Sequence, residues 1–257
     1  MSSPRKPNTP PRTDEPGGHA SDDELGRAPR ASAPVVRDAT APPPATRAGP
    51  PMAAALATAF AEHVQRALGV PLDGSETSLA FADHYLRTAT DGTRGPIAAL
   101  VAAEAGAYYG ELVRQLLGAQ WIGEGSDPRR LRLLLEHQFL HFSPIDQARE
   151  ILAGLREDDD DDDDDAPEAD EPPLDTAFHA RSTPEASHPD APTDASWLAD
   201  RLAELPPVAA GEYYSLTCRF ETLKLVLELL ATKHMSEGRS PRTYALDDYL
   251  AALAPRH

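Results

Sequence analysis

Eight consecutive aspartates, Asp158 to Asp165, limit how this chain can fold more than any other feature of its sequence. Like charges at this density repel one another at neutral pH, so the segment stays extended and solvated instead of joining a core. Residues 151–200 carry 2 basic and 17 acidic side chains, which accounts for most of the formal net charge of -18. We therefore predict a disordered Asp-rich linker over residues 157–192 that separates two ordered stretches.

The stretches on either side of the linker differ in their capacity to form a core. Residues 1–51 contain 12 of the 26 prolines and no periodic apolar pattern, so we predict a disordered N-terminal tail there. Residues 52–156 are predicted to form an α+β half of the domain. Residues 193–257 are predicted to form a helical half. Because so short a stretch buries little apolar surface alone, it is expected to pack on residues 52–156.

Apolar residues repeat at helical spacing in several segments. From Met52 to Leu68 they recur every four residues, and over 212–234 they step by three or four without interruption. Another helix is predicted over 96–117, where Gly106 and Gly110 share one face. Each glycine costs a helix about 1 kcal/mol relative to alanine. The prediction therefore includes a second helix or strand packed very close to this glycine face.

The apolar period changes from helical to alternating after residue 118. Short segments at 120–122, 130–136 and 139–142 are predicted to form an antiparallel β-meander, although Leu134 interrupts the alternation in the second segment. Ser143 and Pro144 then have the residue types of a helix cap and a first helical position. The predicted fold class is α+β and mostly helical, with about seven helices around the small meander.

Composition and charge exclude several classes of protein. The sequence has no basic face that could follow a nucleic-acid backbone, so nucleic-acid binding is not predicted. No apolar run approaches the roughly 18 residues of a membrane span, so membrane insertion is not predicted either. The single cysteine, Cys218, cannot form an intrachain disulfide, which favours a reducing compartment. We therefore predict a cytoplasmic protein.

Five side chains are candidates for a ligand-binding site: Glu104, Tyr108, Glu111, His137 and His141. On a helix, a separation of seven residues places the Cα atoms of Glu104 and Glu111 about 10 Å apart, with Tyr108 near their line. Both carboxylates could then reach one ligand, as a general acid and base do. His137 and His141 are four residues apart, the spacing at which two histidines on a helix can hold zinc.

Each of these candidates also has a simpler interpretation. Glu104 and Glu111 lie at the edge of the apolar face of the helix predicted over 96–117. Carboxylates at such an edge usually face solvent or pair with an arginine, here Arg114. His137 and His141 lie in the predicted strand–turn–strand region, which would separate their imidazoles, and the residues between them do not match a zinc-peptidase motif. The sequence also lacks a phosphate-binding glycine loop and paired CxxC motifs. We predict no metal, no cofactor and no catalytic residue.

Three hypotheses about function are compatible with these patterns. The leading one is a non-enzymatic protein-interaction or regulatory module, in which the aspartate tract attracts a basic surface of a partner protein or only keeps the chain soluble. The alternative is a small-ligand-binding protein or hydrolase-like enzyme, with its site between the helix at 96–117 and the meander. A third hypothesis is an inhibitor that neutralises a basic target through its charge.

Overall fold

A computed structural model describes residues 50–89, 95–123, 126–157, 172–182 and 192–253. The helices are α1 (Pro51–Leu68), α2 (Ser78–Ala89), α3 (Gly95–Val113), α4 (Pro144–Glu157), α5 (Asp194–Ala203), α6 (Ala210–Tyr213), α7 (Leu216–Ser236) and α8 (Leu246–Leu253). The strands are β1 (Ala119–Ile122), β2 (Arg132–Leu135), β3 (Leu140–Phe142) and β4 (His179–Ala180). These elements confirm the predicted α+β, mostly helical fold. In the described ranges, no helix is long and apolar enough to cross a membrane.

Helix α3 lies at the centre of the structure, where it packs against α1 and α4 and is buried over almost all of its last three turns. Two glycines make this packing possible. A Cβ atom at Gly106 would lie 2.6 Å from Pro144 O, and one at Gly110 would lie 2.2 Å from the Trp121 ring. The predicted close neighbours of the glycine face are thus confirmed, and they are the start of α4 and strand β1.

The four strands form one antiparallel sheet in the order β1-β2-β3-β4. Leu133 and Leu135 of β2 face the main core, whereas Leu134 faces the other side of the sheet. On that side Leu134 packs with Tyr244 and Tyr249 from the C-terminal part of the chain. Leu134 therefore does not break the strand pattern, because each face of β2 has its own apolar cover.

The hydroxyl group of Tyr249 fixes α8 to the meander. Its oxygen lies 2.7 Å from Leu135 O and 2.9 Å from Leu140 O, and Leu140 N donates a hydrogen bond to it at 3.0 Å. Tyr249 is buried, and burial raises the pKa of its phenol. One neutral hydroxyl group thus binds the backbone of two neighbouring strands, which holds the last helix against the outer face of the sheet.

The helix predicted over 212–234 is two helices in the structure. α6 ends at Tyr213 and α7 starts at Leu216, because Ser215 caps α7 by accepting a hydrogen bond from Cys218 N at 3.0 Å. Asp83 of α2 also binds this end of α7, since Leu216 N donates to its Oδ1 at 2.6 Å. Burial raises the pKa of the Asp83 carboxyl. The capped end of α7 is therefore fastened to α2.

Part of the predicted linker belongs to the fold. β4 lies inside the range 157–192 and pairs with β3, with Leu140 opposite Ala180 and His141 opposite His179. The prediction of disorder through residue 192 is therefore wrong for residues 172–182. The aspartate tract and residues 1–49 of the predicted tail over 1–51 lie outside the described residues, whereas Pro51 is the first residue of α1.

Polar side chains of α4 hold the segment that precedes β4. Gln147 Nε2 donates a hydrogen bond to Thr176 O at 3.0 Å, and Asp146 Oδ2 accepts one from Asp175 N at 3.2 Å. A short segment bound through its backbone needs no periodic apolar pattern of its own. Periodicity therefore could not detect this part of the fold.

We expect Gly106→Ala to lower the free energy of unfolding by about 3 kcal/mol, because the new methyl group would meet backbone atoms of α4 that cannot easily move aside. Gly211→Ala in α6 is the matched control, since a Cβ atom there has nothing within 4 Å. The control should be neutral or stabilise the fold by up to about 1 kcal/mol. Urea unfolding measures both, and equal stabilities would contradict the close packing of α3 on α4.

Residues 172–182 and 158–171 should respond differently to replacement by glycine-serine segments of equal length. Replacement of 172–182 removes β4, its hydrogen bonds and the contact of Phe178 with Phe142. We expect a loss of about 3 kcal/mol and a Tm lower by about 10 °C. Replacement of 158–171 should leave Tm unchanged, as the predicted linker requires. Calorimetry measures both values. Equal Tm values for the two replacement variants would show that residues 172–182 do not support the fold.

Candidate functional site

Glu104 and Tyr108 extend from α3 toward two different helices. Glu104 Oε2 lies 2.8 Å from His63 Nδ1 of α1, and the glutamate side chain is only 6% exposed. Tyr108 OH lies 2.5 Å from Ser78 Oγ of α2. Burial raises the pKa of Tyr108, so its phenol is protonated near neutral pH. Both candidates thus have partners within the fold, and these contacts tie α1 and α2 to α3.

Glu111 joins α3 to the meander. Its Oε1 accepts a hydrogen bond from Trp121 Nε1 at 2.8 Å, and its Oε2 accepts one from Arg114 Nη2 at 2.8 Å. Glu111 therefore pairs with Arg114, as the simpler interpretation of its place in the sequence predicts. The Trp121 ring also packs against Gly110, between α3 and the meander, where the alternative hypothesis places its site.

The turn between β2 and β3 separates the two candidate histidines. His137 is exposed in that turn, whereas His141 lies in β3 and stacks on His179 of β4, with ring centroids 4.9 Å apart. Within the part of the chain that the structure describes, no three potential metal ligands lie together. The five candidates therefore do not converge on one site, and His141 alone lines the large cleft beside β4.

This cleft has a volume of about 800 Å³, and we call it the β4 cleft. One wall is the chain over 176–182, which includes the edge strand β4. Helix α5, residues 205–208 and the start of α7 form further walls, and the end of α8 also contributes. The cleft therefore exists only because residues 172–182 are held on the sheet.

The lining of the β4 cleft is mostly apolar, and part of it faces solvent. Leu198 of α5 is buried, whereas Leu205, Val208 and Leu253 are 46%, 49% and 56% exposed. We call these last three residues the apolar rim. Large apolar side chains grouped around a concave surface are typical of a site that a ligand or partner covers.

The charge of the β4 cleft contrasts with the net charge of the chain. Arg181 and Arg219 line the cleft together with His141 and His179. Among the described residues, no aspartate or glutamate lines it. Arg219 is ion-paired with Glu150, whereas Arg181 has no ion pair among the described residues, so a ligand with a negative group is favoured at Arg181.

Arg219 is the more buried of the two arginines, with a side chain that is 9% exposed. Its Nη2 donates to Glu150 Oε2 at 2.7 Å, and its guanidinium carbon lies 4.3 Å from the Tyr213 ring centroid. Its Nε is buried and has no hydrogen-bond partner among the residues that the structure describes. A buried donor without a partner is costly, so an acceptor placed there would stabilise the site.

Arg181 follows β4 and lies against aromatic rings. Its guanidinium carbon is 4.9 Å from the Phe139 ring centroid and 5.9 Å from that of Tyr244, distances typical of cation–π contacts. Considering the described ranges only, its guanidinium forms no hydrogen bond or ion pair. The aromatic contacts position the cation while its N–H groups remain free to donate to a ligand.

His141 presents a neutral imidazole to the β4 cleft at pH 7. Burial, and to a lesser extent the charge of the neighbouring His179, lowers the pKa of His141 to about 4. His179 Nε2 in turn lies 2.6 Å from Asp175 Oδ1. The stacked pair thus supplies polar atoms on one wall, and His141 adds no positive charge to it.

A buried ion cluster fixes the α5 wall to α7. Asp194 Oδ1 accepts hydrogen bonds from Lys233 Nζ at 2.6 Å and from Arg239 Nη2 at 2.9 Å, and His234 Nε2 lies 3.1 Å from Oδ2. Burial acts to raise the pKa of Asp194, but the hydrogen bonds from His234, Arg239 and Lys233 outweigh it and lower the pKa well below 3.8. The ionised carboxylate therefore stabilises this wall at neutral pH.

Asp194→Asn should lower the free energy of unfolding at pH 7 by about 3 kcal/mol, because Lys233 and Arg239 lose the buried carboxylate that they share. The folded pKa of Asp194 is lowered, so this stabilisation is complete above the unfolded value near 3.8 and disappears as pH falls below it. The difference between wild type and variant should therefore shrink below about pH 4. Urea unfolding over a pH series measures it, and a pH-independent difference would refute the role of this carboxylate.

Arg181 and Arg219 are the charged cleft residues that the sequence patterns do not reveal. Arg181 lies in a segment assigned to the linker, so no pattern marked it. The sequence does carry a signal for Arg219, because it directly precedes Phe220, one of the apolar residues that recur every three or four positions over 212–234. A basic residue at that place must be either partly buried or paired. The chain matches no protein-family model, no curated protein and no solved structure.

Proposed function

We propose that this chain is a non-enzymatic protein-interaction module whose β4 cleft binds an extended, mainly apolar segment of a partner protein. The exposed apolar rim is the observation that carries the proposal. Leu205, Val208 and Leu253 are each about half exposed around one concave surface. Covering the exposed half of such a side chain contributes about 1 kcal/mol, so three together supply a useful part of a binding energy.

The position of β4 supports an extended ligand. β4 is an edge strand, and the chain over 176–182 lines the cleft without interruption. Extended peptides commonly add to sheet edges and place alternate side chains into neighbouring apolar pockets. Leu198 and Leu202 of α5 line the same cleft and offer such apolar contacts.

A small-ligand-binding protein is the second candidate, because a volume of about 800 Å³ falls within the range of small-molecule sites. A small ligand enclosed in the cleft would, however, leave the outer parts of the apolar rim in water. An extended segment that crosses the rim covers these side chains, and we therefore favour the protein partner. The cytoplasmic location and a basic partner for the aspartate tract stay predictions from the sequence.

Selection from a phage-displayed peptide library against the full chain tests the proposal. We expect enriched peptides rich in apolar residues, with affinities that calorimetry can measure. Leu205→Asp should weaken binding by about 10-fold to 100-fold, because it places a charge on the apolar rim.

Leu116→Asp is the matched control, since Leu116 and Leu205 are both 46% exposed and Leu116 does not line the cleft. The control should bind the enriched peptides as the wild type does, and circular dichroism checks that both variants are folded. Failure to enrich any peptide, or equal binding by the two variants, would overturn the assignment of the β4 cleft as the binding site.

A further inference from the structure

We propose that the partner segment bound in the β4 cleft places an acidic side chain on Arg181. The inference rests on the proposed function and specifies the chemistry of the bound segment. Charge complementarity favours an acidic ligand in this cleft. The chain carries 42 acidic and 24 basic residues, yet the described lining of the cleft contains two arginines and no carboxylate.

Arg181 has the geometry of a preorganised carboxylate receptor. The rings of Phe139 and Tyr244 hold its guanidinium, while its N–H groups have no hydrogen-bond partner among the described residues. A guanidinium presents several donors in one plane, and a carboxylate can accept two of them in parallel. The contact with Phe139 thus restricts the side chain before binding, which reduces the entropy lost when the carboxylate binds.

The carboxylate of Asp248 lies within the electrostatic influence of Arg181 but does not take its donors. Asp248 accepts hydrogen bonds from Ala245 N at 2.8 Å and from Arg242 Nη2. The hydrogen bond from Ala245 is the main reason that the pKa of Asp248 is lowered, and the charge of Arg181 contributes less to it. Arg181 is therefore free to bind a carboxylate from outside the chain.

Arg219 is a second arginine in the lining of the same cleft, and it is ion-paired. Glu150 binds one of its nitrogens, whereas its buried Nε has no partner in the part of the chain that the structure describes.

The position of Arg181 indicates which kind of carboxylate is bound. Ala180 and Ser182 line the cleft on both sides of Arg181, so a segment alongside β4 continues past it. We therefore assign the carboxylate to an Asp or Glu side chain within the segment instead of a chain terminus.

The chain's own aspartate tract does not meet these requirements. Residues 158–165 are all aspartate and offer no side chain that could cover the apolar rim. The fitting segment combines several apolar residues with one acidic residue, which the aspartate tract does not, and we assign it to a separate partner protein.

Short acetylated and amidated peptide pools provide the test. The pools contain Leu, Val and Thr at the flanking positions and either Glu or Gln at the centre, and fluorescence anisotropy measures their binding to the full chain. We expect the wild type to bind the Glu pool about 10-fold more tightly than the Gln pool. Arg181→Gln should reduce this ratio to about one while binding of the Gln pool is retained.

Arg130→Gln is the matched control, because Arg130 has a side chain that is 74% exposed and does not line the cleft. It should keep the wild-type ratio. The wild-type ratio should also fall as the salt concentration rises from about 50 to about 500 mM, a measurement that needs no variant. Equal binding of the two pools, or a ratio that Arg181→Gln leaves unchanged, would overturn the acidic contact while the proposed function stands. Failure of both pools to bind would overturn the proposed function itself, and this inference with it.

Discussion

The structure depends on the close approach of α3 to the start of α4 and to β1. Gly106 and Gly110 have no side chain at the points where Pro144 and Trp121 come nearest. A larger residue at either position would push α4 or the meander away from the central helix. Because β4 and the segment before it are bound to β3 and α4, the walls of the β4 cleft depend on this approach as well.

The β4 cleft is built by polar contacts that hold an irregular segment against a regular core. Gln147 and Asp146 bind the backbone of residues 175 and 176, and Asp194 joins the α5 wall to α7. Apolar burial alone would not fix these walls, because Leu205 and Val208 remain half exposed. Polar side chains thus position the walls of the cleft, whereas apolar side chains around it stay partly exposed.

Those parts of the fold that depend on a periodic apolar pattern could be predicted from the sequence. The meander, the glycine face of α3 and the cap at Ser143 follow from local patterns, and the structure has all three. Leu134 shows the limit of local patterns, since Tyr249, which covers the second face of the sheet, lies far away in the sequence. The break at Ser215 does not follow from the apolar pattern, because apolar residues at helical spacing continue from α6 into α7.

The cationic site could not be predicted, because the residues that form it are brought together by contacts distant in sequence. Arg181 reaches Phe139 and Tyr244, and Arg219 reaches Glu150. Among the candidates chosen from spacing, Glu104 and Glu111 have partners inside the fold. Spacing along one helix identifies which residues share a face, but it does not show which neighbour fills that face.

The central claim is that residues 172–182 are bound to the sheet and thereby form a wall of the β4 cleft. Hydrogen–deuterium exchange of backbone amides tests this claim most directly, without any ligand. The amide of Asp175 donates to Asp146, and the amide of Ala195 donates to Arg181 O, so both should exchange much more slowly than the same amides in an unfolded chain. Exchange of both amides at the rate of an unfolded chain would contradict the claim.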